Sequence, residues 1–383
     1  MNAIIFGHNS VNATGLIRSL GRKGHNVYAI LHKDLINYSA KSKYVKRVWY
    51  VEGRSEWLET IKSACKEIGG LIVLFSAGDD EAKFINSHQE ELEGFCVVEG
   101  VSDVNVRHLY FHKDYVYKLA HANNLQLINT CFITNKSDPL PDFIEYPVIV
   151  KALDSTCGGK DIMCICDTSN ALSECLDKIS TEFYPVQLQP FIMKEKEVML
   201  QGCSLSHGRF VLAPVCFVKT RFCGYGNGYG SYGYSVEVAK DKELSGIARK
   251  VANIISTIGY QGLYSAEFLY ANGNYYFLEI NFRNDGTPIV STESGYNLPD
   301  IYCRFIEGPN SIEMTDTNFC KIYYMHIDDF MHVLYGDISL FKWVKDVMKK
   351  DCYWYMLDRN DLLPFFLYFC FRIKRKLYNF LNK

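Results

Sequence analysis

Several absences narrow what this 383-residue chain can be. It carries no excess of positive charge. Its 41 Lys and Arg stand against 43 Asp and Glu, formally −2, so the basic stripe of a nucleic-acid binder is missing and nucleic acid is not expected as a partner. It has no CxxC pair and no Cys/His cluster with zinc spacing. Its 14 cysteines are scattered, and they are expected to be reduced, mostly buried thiols of a cytoplasmic protein. No apolar run reaches the length of a membrane span. Ala3 to Phe6 is too short for a secretory signal and runs straight into a glycine turn, so no leader is expected. The first turn lacks the GxGxxG spacing of a dinucleotide site, and no Walker A loop occurs anywhere.

What is present reads as several domains with sizeable cores. Residues 1–105 alternate strand and helix: Ala3–Phe6, a Gly7-His8-Asn9-Ser10 turn, a helix to Leu20, then strands at Val27–Leu31 and Leu71–Phe75. That order implies a parallel sheet with ligands near the carboxyl ends of its strands. Residues 106–310 read as α+β and divide near 190, and residues 311–383 form a carboxyl-terminal extension. The fold class is therefore α/β plus α+β.

The most informative segment is Tyr264 to Arg283, YSAEFLYANGNYYFLEINFR. Two β-branched and aromatic runs flank Asn272-Gly273, a strong hairpin signal. With a tight two-residue turn, regular pairing would place Glu267 and Glu279 on opposite faces. A three-residue loop Ala271-Asn272-Gly273, with Gly273 left-handed, brings Glu267, Glu279 and Asn281 together, and that register is predicted. The opposite face then carries Ala266, Phe268, Tyr270, Tyr276, Leu278, Ile280 and Phe282 toward a core. Grouped carboxylates repel, and hard oxygen ligands with open coordination positions suit Mg²⁺ beside a nucleotide. A solvated polar strand face is the alternative on the hairpin alone.

Three further stretches carry chemistry. Strand Pro147–Leu153 presents Lys151 ahead of a loop of small residues, Ser155 to Lys160 with Gly158 and Gly159, whose N–H groups can wrap phosphate. An ordinary hairpin turn is the alternative. Gln189-Pro190-Phe191-Ile192 reads as a crossover able to meet an adenine edge, with Glu197 positioned for ribose hydroxyls; a charged linker is the plain alternative. The loop Lys219 to Tyr234 is rich in glycine and tyrosine and suggests a lid over an acidic substrate, with Lys219 and Arg221 at its root.

Taken in order, these pieces resemble the ATP-grasp superfamily. FHKDYVYKLAHANNLQLINT resembles its leading helix with a phosphate-contacting lysine, Lys113. YPVIVKALDSTCGGKDI resembles its strand lysine and glycine-rich loop, Lys151 and Ser155 to Lys160. LQPFIMKEKEV resembles its hinge and ribose acid, Gln189 to Ile192 and Glu197. AEFLYANGNYYFLEINFR resembles its metal-binding hairpin, with Arg283 steadying the reacting phosphoryl and acyl groups. The run LEINFRNDGTPIVSTESGYNLP is similar to D-aspartate ligase-type and carbamoyl-phosphate-synthetase-like carboxylate–amine ligases. The hinge carries one residue more than the common pattern before Glu197, and Phe282 stands where proline is frequent.

The resemblance implies a Rossmann-like pre-ATP-grasp domain at 1–105, a small lobe at 106–190 and a large lobe at 191–310. It also implies ATP and Mg²⁺ (or Mn²⁺) as cofactors, small-molecule carboxylate and amine substrates, and an acyl-phosphate route to an amide. Bicarbonate activation and a non-catalytic ATP-binding module are the alternatives, and a homodimer is left open. The tail from Asp361, DLLPFFLYFCFRIKRKLYNFLNK, has the composition of an interfacial helix at the inner membrane surface or of one docked on the protein body.

Overall fold

The computed structural model describes residues 1–140, 144–152, 163–222, 231–308 and 318–381. Five parallel strands open the chain: β1 (Asn2–Gly7), β2 (Asn26–His32), β3 (Val45–Val51), β4 (Ile72–Ser76) and β5 (Val97–Val98), in the order β3-β2-β1-β4-β5. The runs AIIF and IVLF are apolar throughout because both sheet faces are covered. Helix α1 (Val11–Gly21) covers one face with Leu16, Ile17 and Leu20, and α2 (Trp57–Ile68) covers the other with Trp57 and Ile61. Ser10 starts α1 by accepting a hydrogen bond from the Ala13 N–H at 3.1 Å. Helix α3 (Asp79–Ser87) follows β4.

A four-stranded antiparallel sheet comes next, ordered Cys164–Cys166, Val148–Ala152, Val186–Pro190, Cys131–Ile133. Helix Ser169–Lys178 lies on it through Leu172 and Leu176. Cys164 and Cys175 are joined there as a disulfide, where reduced thiols were expected; the helix folds back over the strand and brings the two sulfurs together. The other described cysteines are free.

The largest sheet has at its centre Phe210–Arg221, Lys196–Leu205, Tyr260–Ala271 and Asn274–Asn281, paired antiparallel in that order. Helix Lys242–Ile258 packs on it with Val251, Ile254, Ile255 and Ile258. Asp241 caps the helix start, accepting from the Glu243 and Leu244 N–H groups at 3.0 Å, and Gly259, left-handed at φ 71°, ends it.

The carboxyl-terminal residues return to the first sheet. Arg18 on α1, buried, donates to Asp361 Oδ2 at 2.9 Å and to the carbonyl oxygens of Met356 and Asp361 at 2.9 and 2.8 Å. Asp361 also accepts from Ser42 Oγ at 2.8 Å and from the Lys43 N–H at 2.9 Å. Helix Leu363–Leu381 then docks on the protein body. Tyr368 and Phe371 pack edge-on against Tyr38, and Arg372 donates to both Asp328 carboxylate oxygens at 2.6 and 2.7 Å. Leu363, Phe366, Phe369 and Ile373 point to solvent along the other side. No described helix is long and apolar enough to cross a membrane. The side chains from 375 onward, including Arg375 and Lys376 of the basic cluster, lie outside the described set.

Asp361→Ala removes the nearer of two carboxylates from a buried guanidinium, leaving Asp358 Oδ2 at 3.6 Å, so it should destabilise the protein by about 3 kcal/mol. Urea unfolding measures this, and a loss within error of zero would show that Asp358 and the carbonyl contacts suffice to hold Arg18.

Candidate active site

The hairpin places the first functional side chains. Ala271 pairs with Asn274 across a two-residue turn in which Asn272 (φ 50°) and Gly273 (φ 76°) are both left-handed. The three-residue loop expected from the sequence is not formed. Pairing runs regularly to Phe268 opposite Phe277, and then Leu278 is inserted as a bulge so that Glu267 faces Glu279 and Ser265 faces Asn281. The grouping of Glu267, Glu279 and Asn281 thus stands by a different device. The core face also changes: Phe277 and Tyr275 join Ala266, Phe268, Tyr270, Ile280 and Phe282 in place of Leu278 and Tyr276. Leu278 instead lines a cavity of about 470 Å³.

Glu267 Oε1 accepts from Asn281 Nδ2 at 2.9 Å, and Lys113 Nζ lies 3.4 Å from Glu279 Oε2. Burial and then the facing Glu279 push the Glu267 carboxyl up to about 7, with Lys219 opposing. Two opposed glutamates, one of them resisting ionisation, and a neighbouring amide form an all-oxygen donor set that a hard divalent cation fits. Arg283, two positions on, is fixed by donating from Nε to Asp79 Oδ1 at 2.6 Å and from Nη1 to the Asn284 carbonyl oxygen at 2.9 Å.

Lysines crowd together beside these carboxylates. Lys151 Nζ donates to Gln189 Oε1 at 3.2 Å, and Gln189 Nε2 donates to Thr130 Oγ1 at 2.8 Å. Burial, then Lys113 and Lys194, pull the Lys151 ammonium below its ordinary value against the pull of Glu279. Three converging cations of this kind are relieved by an anion placed among them. Gln189, Pro190, Phe191 and Ile192 line the cavity with Lys151, Lys194, Glu197 and Glu267, while Ile128, Ile149, Met163, Ile165, Leu269 and Leu278 give it apolar walls. The Phe191 N–H donates to the Pro147 carbonyl oxygen at 2.7 Å, so it is turned away from an adenine edge.

Glu197 accepts from Lys194 Nζ at 2.5 Å and from Lys219 Nζ at 3.0 Å. Burial would raise its carboxyl, yet Lys219 and Lys194 hold it below the usual value. Strand register explains Lys219, which sits directly across from Glu197; nothing local in the sequence signals that pair. Arg221, expected at a substrate lid, faces elsewhere: it donates to Asp329 Oδ1 and to Asp346 Oδ2, both at 2.9 Å, in the carboxyl-terminal extension. Ser155, Gly158 and Gly159, the rest of the 155–160 loop and residues 223–230 of the glycine–tyrosine loop lie outside the described residues.

Comparison with known proteins gives matches over part of the chain. The family model for the carbamoyl-phosphate synthase L chain, ATP binding domain, matches residues 135–310. Biotin carboxylase from Haemophilus influenzae is 28% identical over 191 residues, covering 47% of this chain and 41% of its own length. The arginine-specific carbamoyl phosphate synthase large chain of Bacillus subtilis is 27% identical over 170 residues, covering 43% of this chain and 16% of its own length. The chain thus spans less than half the length of the sequence relatives it matches. Among solved structures, L-amino acid ligase from Bacillus licheniformis superposes with a TM-score of 0.63 at 14% identity, over 84% of this chain and 79% of that one. Biotin carboxylase from Campylobacter jejuni gives 0.65 at 16% identity, over 84% and 74%.

The Glu267 shift predicts a pH signature in magnesium-free protein. The folded carboxyl sits near 7 and the unfolded one near 4.5, so the folded state binds the extra proton in that interval and stability falls as pH rises through it. Glu99, pushed by burial to about 7 against hydrogen bonds from Leu263 and Ser76, adds a slope of the same sign. Glu267→Gln should therefore make the fall shallower without abolishing it. Chemical denaturation from about pH 4.5 to about pH 8 tests this, and identical slopes would remove the assignment.

Proposed function

We propose that this chain, whose residues 135–310 match the carbamoyl-phosphate synthase L chain, ATP binding domain, is an ATP-grasp, carboxylate–amine ligase-like protein that activates a small-molecule carboxylate with ATP and joins it to an amine. A carboxylate oxygen attacks the γ-phosphorus and ADP leaves. The amine nitrogen then attacks the acyl carbon, phosphate departs, and the nitrogen loses its proton. The observation that carries the reading is the grouping of like charges at and beside the cavity, where Lys151 is crowded by Lys113 and Lys194 and Glu267 faces Glu279, with Lys113 reaching to 3.4 Å from Glu279. A nucleotide phosphate chain answers the lysines. Glu267, Glu279 and Asn281 would hold magnesium, which supplies charge neutralisation at the phosphates when bound.

In this scheme Lys113 and Lys151 position phosphates, and the apolar walls take the base. Glu197 exchanges its lysine contacts for ribose hydroxyls. Arg283, held by Asp79, stabilises the oxyanion at the acyl centre. Ser155, Gly158 and Gly159 would close over the phosphates; their part rests on the motif resemblance. The first sheet would act as the pre-ATP-grasp domain, with small and large lobes dividing near residue 190. Bicarbonate as the activated acid is a second reading, favoured by the biotin carboxylase and carbamoyl phosphate synthase relatives.

Phosphate release from ATP, screened against amino acids, uronic acids and bicarbonate, separates the readings. Amine-dependent release with a carboxylic acid supports ligation, bicarbonate-dependent release supports the second reading, and nucleotide binding without any release would leave a silent module. Glu279→Ala should lower turnover by roughly 100-fold or more while leaving the far-ultraviolet dichroism unchanged. Retained turnover would remove the metal assignment.

The tail supports a peripheral contact with the inner membrane surface. Leu363, Phe366, Phe369 and Ile373 recur at helical spacing and are exposed on a helix whose other side is docked. Phe366→Ser/Phe369→Ser should reduce co-sedimentation with anionic liposomes, and binding equal to wild type would exclude this face as an anchor.

A further inference from the structure

A second group of metal-binding side chains lies at the carboxyl ends of the parallel strands, away from the hairpin. His8 follows β1, His32 ends β2, and Glu81 lies in the first turn of α3 just after β4. These strands are neighbours, and chain order reverses between β1 and β4, where open parallel sheets form their crevice. The two imidazoles stack with centroids 4.0 Å apart. His32 Nε2 is 2.9 Å and His8 Nε2 3.7 Å from the same oxygen, Glu81 Oε1. One ligand atom from each residue falls within 4.8 Å of the others.

The carboxylate is the telling member. The Glu81 side chain is 1% exposed, and neither oxygen receives a hydrogen bond from the described residues. The close approach of His32 Nε2 lacks hydrogen-bond alignment. A buried carboxylate without donors is costly, and a structure that keeps one has a partner for it. The backbone accommodates this side chain: a Cβ on Gly78 would come within 2.2 Å of Glu81 Oε2, so the glycine makes room for the carboxylate itself. Trp57 packs edge-on against His32 as a dry wall, whereas the His8 side chain is 64% exposed and opens the group to solvent.

We propose that His8, His32 and Glu81 bind a divalent cation of borderline softness, of the zinc type, with its remaining coordination positions facing solvent beside His8. Two imidazole nitrogens and one carboxylate oxygen suit Zn²⁺ or Co²⁺ and are a poor set for Mg²⁺. Asp79, two residues before Glu81, holds Arg283, so the cation would also anchor the start of α3.

The test uses the full chain, stripped with chelator and titrated with Co²⁺ in excess Mg²⁺, so that the hairpin oxygens are not competing. One equivalent should bind with visible d–d bands and no thiolate charge-transfer band, which excludes free thiols such as Cys166 as the ligands. His32→Ala and Glu81→Gln should weaken binding by at least roughly tenfold. His8→Ala changes an exposed side chain, so it should keep the fold; it should lose both the bands and the Co²⁺-linked rise in Tm. Absence of a nitrogen/oxygen-type spectrum in wild type, or unchanged Co²⁺ affinity in His8→Ala and His32→Ala, would overturn the proposal.

Discussion

One inserted residue governs the candidate active site. Leu278 bulges from its strand, and only that insertion lets a tight Asn272-Gly273 turn coexist with two glutamates on one face. Beyond the bulge, the strict alternation of a strand sends Glu279, Asn281 and Arg283 toward one side and Ile280 and Phe282 into the core. The bulge therefore serves packing and chemistry together, and its own side chain becomes part of the cavity wall.

The facing glutamates create an electrostatic tension that the protein alone relieves in part. Lys113 approaches Glu279, Lys219 is committed to Glu197, and Glu267 receives only an amide N–H. Lys151 is crowded in turn by Lys113 and Lys194, although these two have carboxylates of their own in Glu279 and Glu197. A phosphate chain beside Lys151 and a cation between the facing glutamates would each relieve like charges brought together. Preorganisation of this kind places the unfavourable energy in the empty protein, where binding can recover it.

Much of this was legible in the chain. The parallel sheet followed from apolar runs alternating with amphipathic helices, and the three strands expected, β1, β2 and β4, end within one residue of their expected limits, whereas β3 and β5 were not anticipated. The residues that share the cavity were legible as well, because Lys151, Gln189 to Ile192, Glu197 and Glu267 sit in short motifs of ordered spacing. What escaped depends on partners distant in sequence. A bulge leaves no compositional trace when its residue is an ordinary leucine. Arg221 looked like a lid residue until strand pairing carried it to Asp329 and Asp346, and Lys219 joined Glu197 through register alone. The Cys164–Cys175 pairing arises from a helix folding back over a strand, which spacing does not reveal.

The clasp between Arg18 and Asp361 also bears on how the chain is made. The opening sheet holds a guanidinium whose carboxylate is encoded 343 residues later. During synthesis α1 stays without that partner while the intervening residues are made, so the contact between the two can close only after residue 361 has emerged. The early, open form would be the state most exposed to chaperones and proteases.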